Sequence, residues 1–302
     1  MDYHDPVLLR ESIDALAIKE NGIYVDATFG GGGHSRKILE QLGAKGRLFG
    51  FDQDSDVLPN LTEQEQFTFI HHNFRYLKRF LRLHGVRQVE GILADLGVSS
   101  HQLNDASRGF SYRFDAELDM RMNQDGETKA SDLLEKYTAA QLQDLFSRYG
   151  EVRNSRMLAQ TIVQERSKKK IKSVGDFMMV LNPLIRGNRN RYLAQVFQAL
   201  RIEVNEEMEV LKDFLQQALE VLQPGGRLVV IAYHSLEDRL VKHFFKSGNF
   251  TGEQEKDFYG NIHRPFKIIT KKALLPGNEE INRNPRARSA KMRVAQKQQQ
   301  KS

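Results

Sequence analysis

Cysteine is absent from this 302-residue chain. Its absence excludes disulfides, Cys-ligated zinc, iron–sulfur clusters and a thiol nucleophile. The H-E-x-x-H zinc-protease pattern is missing among the nine histidines, and no metal site is expected. No apolar run approaches the ~18 residues of a membrane span. The first ten residues carry Asp2 and Asp5 and lack a signal-peptide pattern. There is no internal repeat. These absences predict a soluble cytoplasmic protein with no membrane partner. Hydrophobic residues at 40% and charged residues at 28% are ordinary globular usage, and the length suggests roughly two domains of ~100–200 residues.

What is present in excess is positive charge, and it is unevenly placed. The chain carries +6 overall, but 261–302 holds eleven basic residues and two acids, and 163–201 holds nine and two. Those segments carry +9 and +7, which leaves −10 on the rest. Two basic regions on an acidic body suggest a polyanion partner, most plausibly nucleic acid, although solvated surface alone gives the same count. The end, Ala295 to Ser302, reads as a frayed tail without core residues.

The first hundred residues alternate strand and helix. Ile23–Ala27, Arg47–Phe51, Phe67–His71 and Val89–Leu96 read as strands. His34–Leu42 and Tyr76–Leu83 read as helices. That alternation predicts an α/β fold with a mostly parallel twisted sheet and helices on both faces. A fifth strand, Arg227–Tyr233, follows the Pro224-Gly225-Gly226 turn, and Phe266–Thr270 and Lys291–Ala295 are candidate last strands. About 130 residues without a convincing strand separate the fourth and fifth strands, far more than a usual connection. Asn104–Gly126 reads as loop. Helical patterns follow at Ser131–Tyr137, Ala139–Tyr149, Val152–Arg166 and Val174–Leu181, then in one long run over Tyr192–Leu222. The expected organisation is therefore a core over 1–103, an inserted helical subdomain over 104–191, and a second core part with a basic C-terminal segment over 192–302. The insertion carries Lys168, Lys169, Lys170, Arg186, Arg189 and Arg191.

Asp26-Ala27-Thr28-Phe29 leads into four glycines, Gly30 to Gly33, and His34, between the first strand and the first helix. Backbone without side chains lets a ligand approach the helix start closely. Asp52 closes the second strand 20 residues after Gly32, where an acid accepts hydrogen bonds from the ribose of a nucleoside cofactor. The dinucleotide fingerprint wants a third glycine where Ser35 stands, so S-adenosylmethionine (SAM) is preferred over NAD. Asp26 suits either an ammonium or the loop's own amides. Ligands of open parallel sheets bind at the carboxyl ends of strands. Phe74 after strand three could cover an adenine face or be ordinary core. Asp95 after strand four could cap a turn or face the reacting centre. Gln102 could reach back to the cofactor. In Tyr233 to Arg239 the bland reading is an N-cap by Ser235 with Asp238 at the third helical position, and the functional one is His234 facing a target base.

DATFGGGGHS (26–35), ADLGVSSHQL (94–103), RGFSYRFDAELDMRM (108–122), FQALRIEVN (197–205), LQPGGRLVVIAYHSLEDRLVK (222–242) and NPRARSAKMRVA (284–295) closely resemble, in order, the RsmH (MraW) family. The resemblance implies a Rossmann-like SAM-dependent methyltransferase with an inserted helical domain. It implies a substrate, N4 of a cytidine in the decoding centre of 16S ribosomal RNA within the small subunit. Carried over by motif, Gly32, Gly33 and His34 resemble the SAM loop, Asp52 the ribose acid, Phe74 the adenine-side aromatic, and Asp95 and Gln102 the remaining cofactor contacts. Position 31, often Arg or another residue in the family, is Gly here.

The missing cysteine also bears on the reaction, because C5 methylation of cytosine usually needs a thiol adduct at C6. An exocyclic amine needs none. It needs alignment with the sulfonium methyl and an acceptor that draws the delocalised N4 lone pair into line. Asp95, or a backbone carbonyl in Leu96–Ser100, stands where that acceptor is required, and His234 is a second catalytic candidate. The target base must leave its stack. The inserted helices, with Arg283, Arg286, Arg288, Lys291 and Arg293, are candidates to hold RNA phosphates. The competing readings are an NAD-dependent oxidoreductase and a non-catalytic RNA-binding assembly factor. The sequence leaves monomer and homodimer equally open.

Overall fold

A computed structural model describes residues 6–254 and 264–299. The chain forms two compact units, one from 1–97 with 208–302 and one from 98–207. In the first, α1 (Leu9–Leu16) precedes β1 (Ile23–Asp26), α2 (Gly33–Leu39), β2 (Arg47–Asp52), β3 (Phe67–His71), α3 (Leu77–Leu83) and β4 (Val89–Asp95). The second holds α4 (Ser100–Asn104), α5 (Ala130–Lys136), α6 (Ala139–Arg148), α7 (Ser155–Lys168), α8 (Val174–Leu181) and α9 (Arg189–Val204). The chain returns to the first through α10 (Glu207–Val221), β5 (Leu222–Ala232), α11 (Ser235–Ser247), β6 (Phe266–Ile268), α12 (Asn278–Arg283) and β7 (Lys291–Lys297).

The sheet order is β3-β2-β1-β4-β5-β7-β6. The first five strands run parallel, while β7 is antiparallel to both β5 and β6. Side chains alternate across it with the period of two that a pleated strand imposes. Val25, Phe49, Phe51, Ile92, Ala94, Leu228 and Val230 face one core, with Leu77 and Leu81 of α3, Phe214 of α10 and Phe244 of α11. Tyr24, Leu48, Leu93, Val229 and Ile231 face the other, with Ile13 and Leu16 of α1 and Ile38 of α2. A sheet covered on both faces explains why β4 and β5 read as continuous apolar runs. The expected mostly parallel α/β sheet is present.

Four expectations need correction. The insertion expected over 104–191 is extended at both ends by α4 and by α9, whose Leu193, Val196, Phe197 and Leu200 pack in the helical core with Phe146 and Phe177. The single helix expected over Tyr192–Leu222 is two. Glu206 adopts a left-handed φ of 49°, and Asn205 gives its amide to the carbonyls of Met120 (2.8 Å) and Arg201 (2.9 Å) while accepting from Met122 N (2.7 Å). The Pro224-Gly225-Gly226 segment lies within β5, as an irregularity between the pairs Val89–Leu222 and Gly91–Arg227. The tail expected from Ala295 is instead the end of β7, with Ala295 fully buried; Gln300 to Ser302 lie outside the described residues.

Much of the 108–122 block serves the helical unit itself. Arg108 is buried and donates to the carbonyls of Arg121 and Met122, both at 3.0 Å. Arg121 grips both oxygens of Asp119 at 2.7 Å, which holds the Asp119 carboxyl below its usual range against the opposing effect of burial.

Candidate active site

The site assembles at the carboxyl ends of β1, β2, β4 and β5. Asp26 ends β1 fully buried, accepting from Ser35 Oγ (2.7 Å) and Thr28 N (3.2 Å). Of the two roles open to it, it fills the one toward the loop's own groups. Burial raises its pKa, opposed by His34 and these hydrogen bonds. Gly30 and Gly32 take positive φ of 50° and 71°, the conformation that a side chain disfavours. A Cβ on Gly33 would lie 2.1 Å from Pro6 Cγ, so backbone there must pass where no side chain fits. His34 is buried with Nε2 3.2 Å from the Val7 carbonyl, and burial lowers its pKa. Its neutral ring thus anchors the segment before α1, and only its backbone is left for a ligand at the loop.

Asp52 ends β2 and stretches across the loop, accepting from Gly30 N at 2.8 Å and Asp54 N at 3.0 Å. Burial pushes its pKa up to about 6, the two amides oppose that, and the charges of Asp54 and Asp26 add to it. After β3, Asn73 reaches Gln53 beside Asp52 at 2.8 Å. Phe74 is partly buried and packs edge-on against Phe214 of α10 at 5.1 Å.

Asp95 closes β4. Its amide donates to Thr28 Oγ1 at 2.7 Å, which ties β4 to the glycine loop. Its Oδ1 accepts from the Tyr233 hydroxyl at 2.8 Å. Burial pushes the Asp95 carboxyl up to about 7, with the Tyr233 hydrogen bond opposing and the charges of Asp26, Glu237 and Glu280 reinforcing. Tyr233 itself is shifted well above the ordinary phenol range by burial and by Asp95, so the phenol keeps its proton and donates it. Sequence reading singled out the Tyr233 motif but missed this bond. Tyr233 directly follows β5, and the pairing of β4 with β5 that brings it to Asp95 leaves no signal in the sequence.

The start of α11 departs from expectation. His234, not Ser235, is the N-cap, and Glu237, not Asp238, closes the box. Glu237 is buried and accepts from Tyr233 N (2.8 Å) and His234 N (3.2 Å), while its own amide donates to His234 Nδ1 (3.3 Å). His234 Nε2 lies 3.2 Å from Glu237 Oε1 without hydrogen-bond geometry. The ring is thus turned onto Glu237. Asp238 receives Arg293 Nε at 2.6 Å and Lys291 Nζ at 3.7 Å. Arg293 and Lys291, both expected to hold phosphates, thus share Asp238. Gln102 lies in the other unit, buried, with Oε1 accepting from Ser99 N at 3.0 Å in the capping box of α4.

The site is therefore strongly acidic. Three acids, Asp26, Asp52 and Asp95, stand at adjacent strand ends, and the charge of Asp26 adds to burial in raising the proton affinity of the other two. Such a site favours a cationic ligand or a hydrogen-bond donor and disfavours a pyrophosphate. Residues 1–298 match the MraW methylase family. The chain belongs to that family. Relatives named "Ribosomal RNA small subunit methyltransferase H" are 56% identical in Parabacteroides distasonis, over 98% of this chain and 97% of the relative. They are also 56% identical in Christiangramia forsetii and Flavobacterium johnsoniae, over 98% of both chains in each case. As a MraW methylase the chain is a SAM-dependent methyltransferase, as the motifs implied. No helix among the described residues is long and apolar enough to cross a membrane.

Proposed function

We propose that this methyltransferase acts on 16S ribosomal RNA of the small subunit and methylates N4 of a cytidine in the decoding centre, without a covalent enzyme intermediate. The family's relatives are named for ribosomal RNA of the small subunit, and the chain has no cysteine for a C6 adduct. The observation that carries the reading is Asp95, fixed by Thr28 and Tyr233 at the end of β4, with its carboxyl near 7.

The residues present suit SAM. Its ammonium and sulfonium are cationic and match the carboxylates at the strand ends, whereas the phosphates of NAD would meet them unfavourably. Gly32, Gly33 and the His34 backbone would border the methionine end, Asp52 would accept from the ribose hydroxyls, and Phe74 would flank the adenine. Gln102 is assigned to the cofactor by motif alone. Bound SAM supplies a methyl on a sulfonium leaving group. Asp95 does the remaining work. Its ionised carboxylate accepts from the N4 amino group and turns the nitrogen lone pair toward the methyl carbon. With SAM bound, N4 would form its bond to that carbon as the carbon–sulfur bond breaks with its electron pair on sulfur. The surplus N4 proton passes to Asp95, which a group titrating near 7 can take and release to solvent. His234 acts indirectly in this scheme, by capping α11 and holding Tyr233 in place through Glu237.

The cofactor assignment is tested by thermal unfolding with S-adenosylhomocysteine or NADH. A ligand at one hundred times its Kd stabilises by about 2.7 kcal/mol. Stabilisation by S-adenosylhomocysteine alone is expected, and stabilisation by NADH alone would transfer the site to the oxidoreductase reading.

A further inference from the structure

The helical unit carries basic side chains of two kinds. Lys168, Lys169 and Lys170 each sit on an acid, with Nζ 2.8 Å from Glu165, 2.6 Å from Asp176 and 2.6 Å from Glu135. Arg166 is likewise occupied, donating to the carbonyls of Leu134 (2.5 Å) and Tyr137 (2.7 Å). Arg153, Arg156, Arg186, Arg189 and Arg191 differ. All five are exposed, and none has an ion pair among the described residues.

The chain segments that carry these five arginines meet at one corner. Asn154 donates to the Leu184 carbonyl at 3.1 Å, which joins the start of α7 to the loop before α9. Gln195 of α9 donates to the Glu151 carbonyl at 3.4 Å, and a Cβ on Gly150 would lie 2.7 Å from the Gln195 carbonyl. The segment leading into α7, a helix of 14 residues, therefore lies against the loop before α9 and the second turn of α9, a helix of 16 residues. Arg156 lies in the first turn of α7, and Arg189 and Arg191 in the first turn of α9. Neither first turn contains an acid. Glu151 is the acid next to the corner in sequence.

This placement runs against local stability. A helix N-terminus carries partial positive charge and disfavours a cation in its first turn. Packing does not account for five guanidiniums there, because all are exposed. An anion offsets both the guanidiniums and the helix ends. Arg presents a planar fork that meets phosphate oxygens two at a time. We propose that this arginine corner is a grip for the RNA phosphate backbone, and that the lysine run 168–170 is not. The inference rests on the ribosomal RNA reading above and deepens it by naming the surface.

The test uses full-length protein and small subunits lacking the modification, with Kd measured across a salt series. The variant R153Q/R156Q/R186Q/R189Q/R191Q is expected to bind at least ten-fold more weakly. Its plot of log affinity against log salt should flatten by about 3.5–4.5, since each lost phosphate contact removes about 0.7–0.9. Its Tm should be equal or higher, because cations leave two helix N-termini, and its affinity for S-adenosylhomocysteine should be unchanged. K168Q/K169Q/K170Q should keep the wild-type slope. If the five-fold variant is less stable, Arg186→Gln on the loop with Arg191→Gln in the first turn of α9 carries the same test with a flattening of about 1.5. An unchanged slope in the arginine variants, or flattening only in the lysine variant, overturns the inference while leaving the substrate reading intact. Wild-type protein that binds no small subunit overturns both.

Discussion

Asp95 is where sequence and chemistry meet most closely. An acid at the end of an apolar strand can be read from the chain; its partner Tyr233, 138 positions away, cannot, because only the pairing of β4 with β5 brings them together. Asp95→Asn keeps the size and the acceptor for Tyr233 but loses the charge. Methyl transfer is expected to fall about 10²–10⁴-fold, the usual contribution of a positioned acid–base group. The check is single-turnover transfer with cofactor affinity measured alongside. The pH dependence follows from the same group. With its carboxyl at about 7, Asp95 is protonated below that value and cannot take the N4 proton, so the rate should rise with pH and level off above 7. Tyr233 donates to the ionised form and so holds the pKa down. Tyr233→Phe should move the rising limb to higher pH, a displacement that a pH–rate profile resolves and that simple loss of packing would not produce. The His34 side chain shows what a motif leaves out: its ring lies 3.2 Å from the Val7 carbonyl.

At the scale of elements, strands announced themselves by composition and helices by spacing. Phe67–His71 and Val174–Leu181 have the limits that sequence suggests. The α9–α10 break escaped because neither Gly nor Pro marks it. Its cause is tertiary, with Asn205 held on the carbonyls of Met120 and Arg201. The α11 cap was misplaced by one residue because a histidine nitrogen, rather than the serine hydroxyl beside it, accepts the helix amide. The glycine loop was legible as a loop, but the reason for each glycine was not. At position 33 the reason is Pro6. Gly33→Ala forces the loop away from Pro6 and is expected to cost about 1–3 kcal/mol, as overpacking does. Denaturant unfolding would register that loss, together with a smaller stabilisation by S-adenosylhomocysteine than the wild type shows.

For the whole molecule, composition located the positive charge but not its availability. The count over 163–201 treats Lys168 and Arg189 alike, whereas one is on Glu165 and the other has no ion pair among the described residues. Arg293 at the C-terminal end is likewise held by Asp238. The acidic remainder of the chain proved more informative than its net value. Three of its acids, Asp26, Asp52 and Asp95, stand at the ends of β1, β2 and β4, an arrangement that favours a cation. The most direct measurement of that account is to incubate the protein with labelled SAM and small subunits from cells lacking this gene, then digest the RNA and identify its nucleosides by mass spectrometry. The account predicts N4-methylcytidine in a decoding-centre fragment. Label at carbon 5, at another base, or absent while S-adenosylhomocysteine still binds would contradict it.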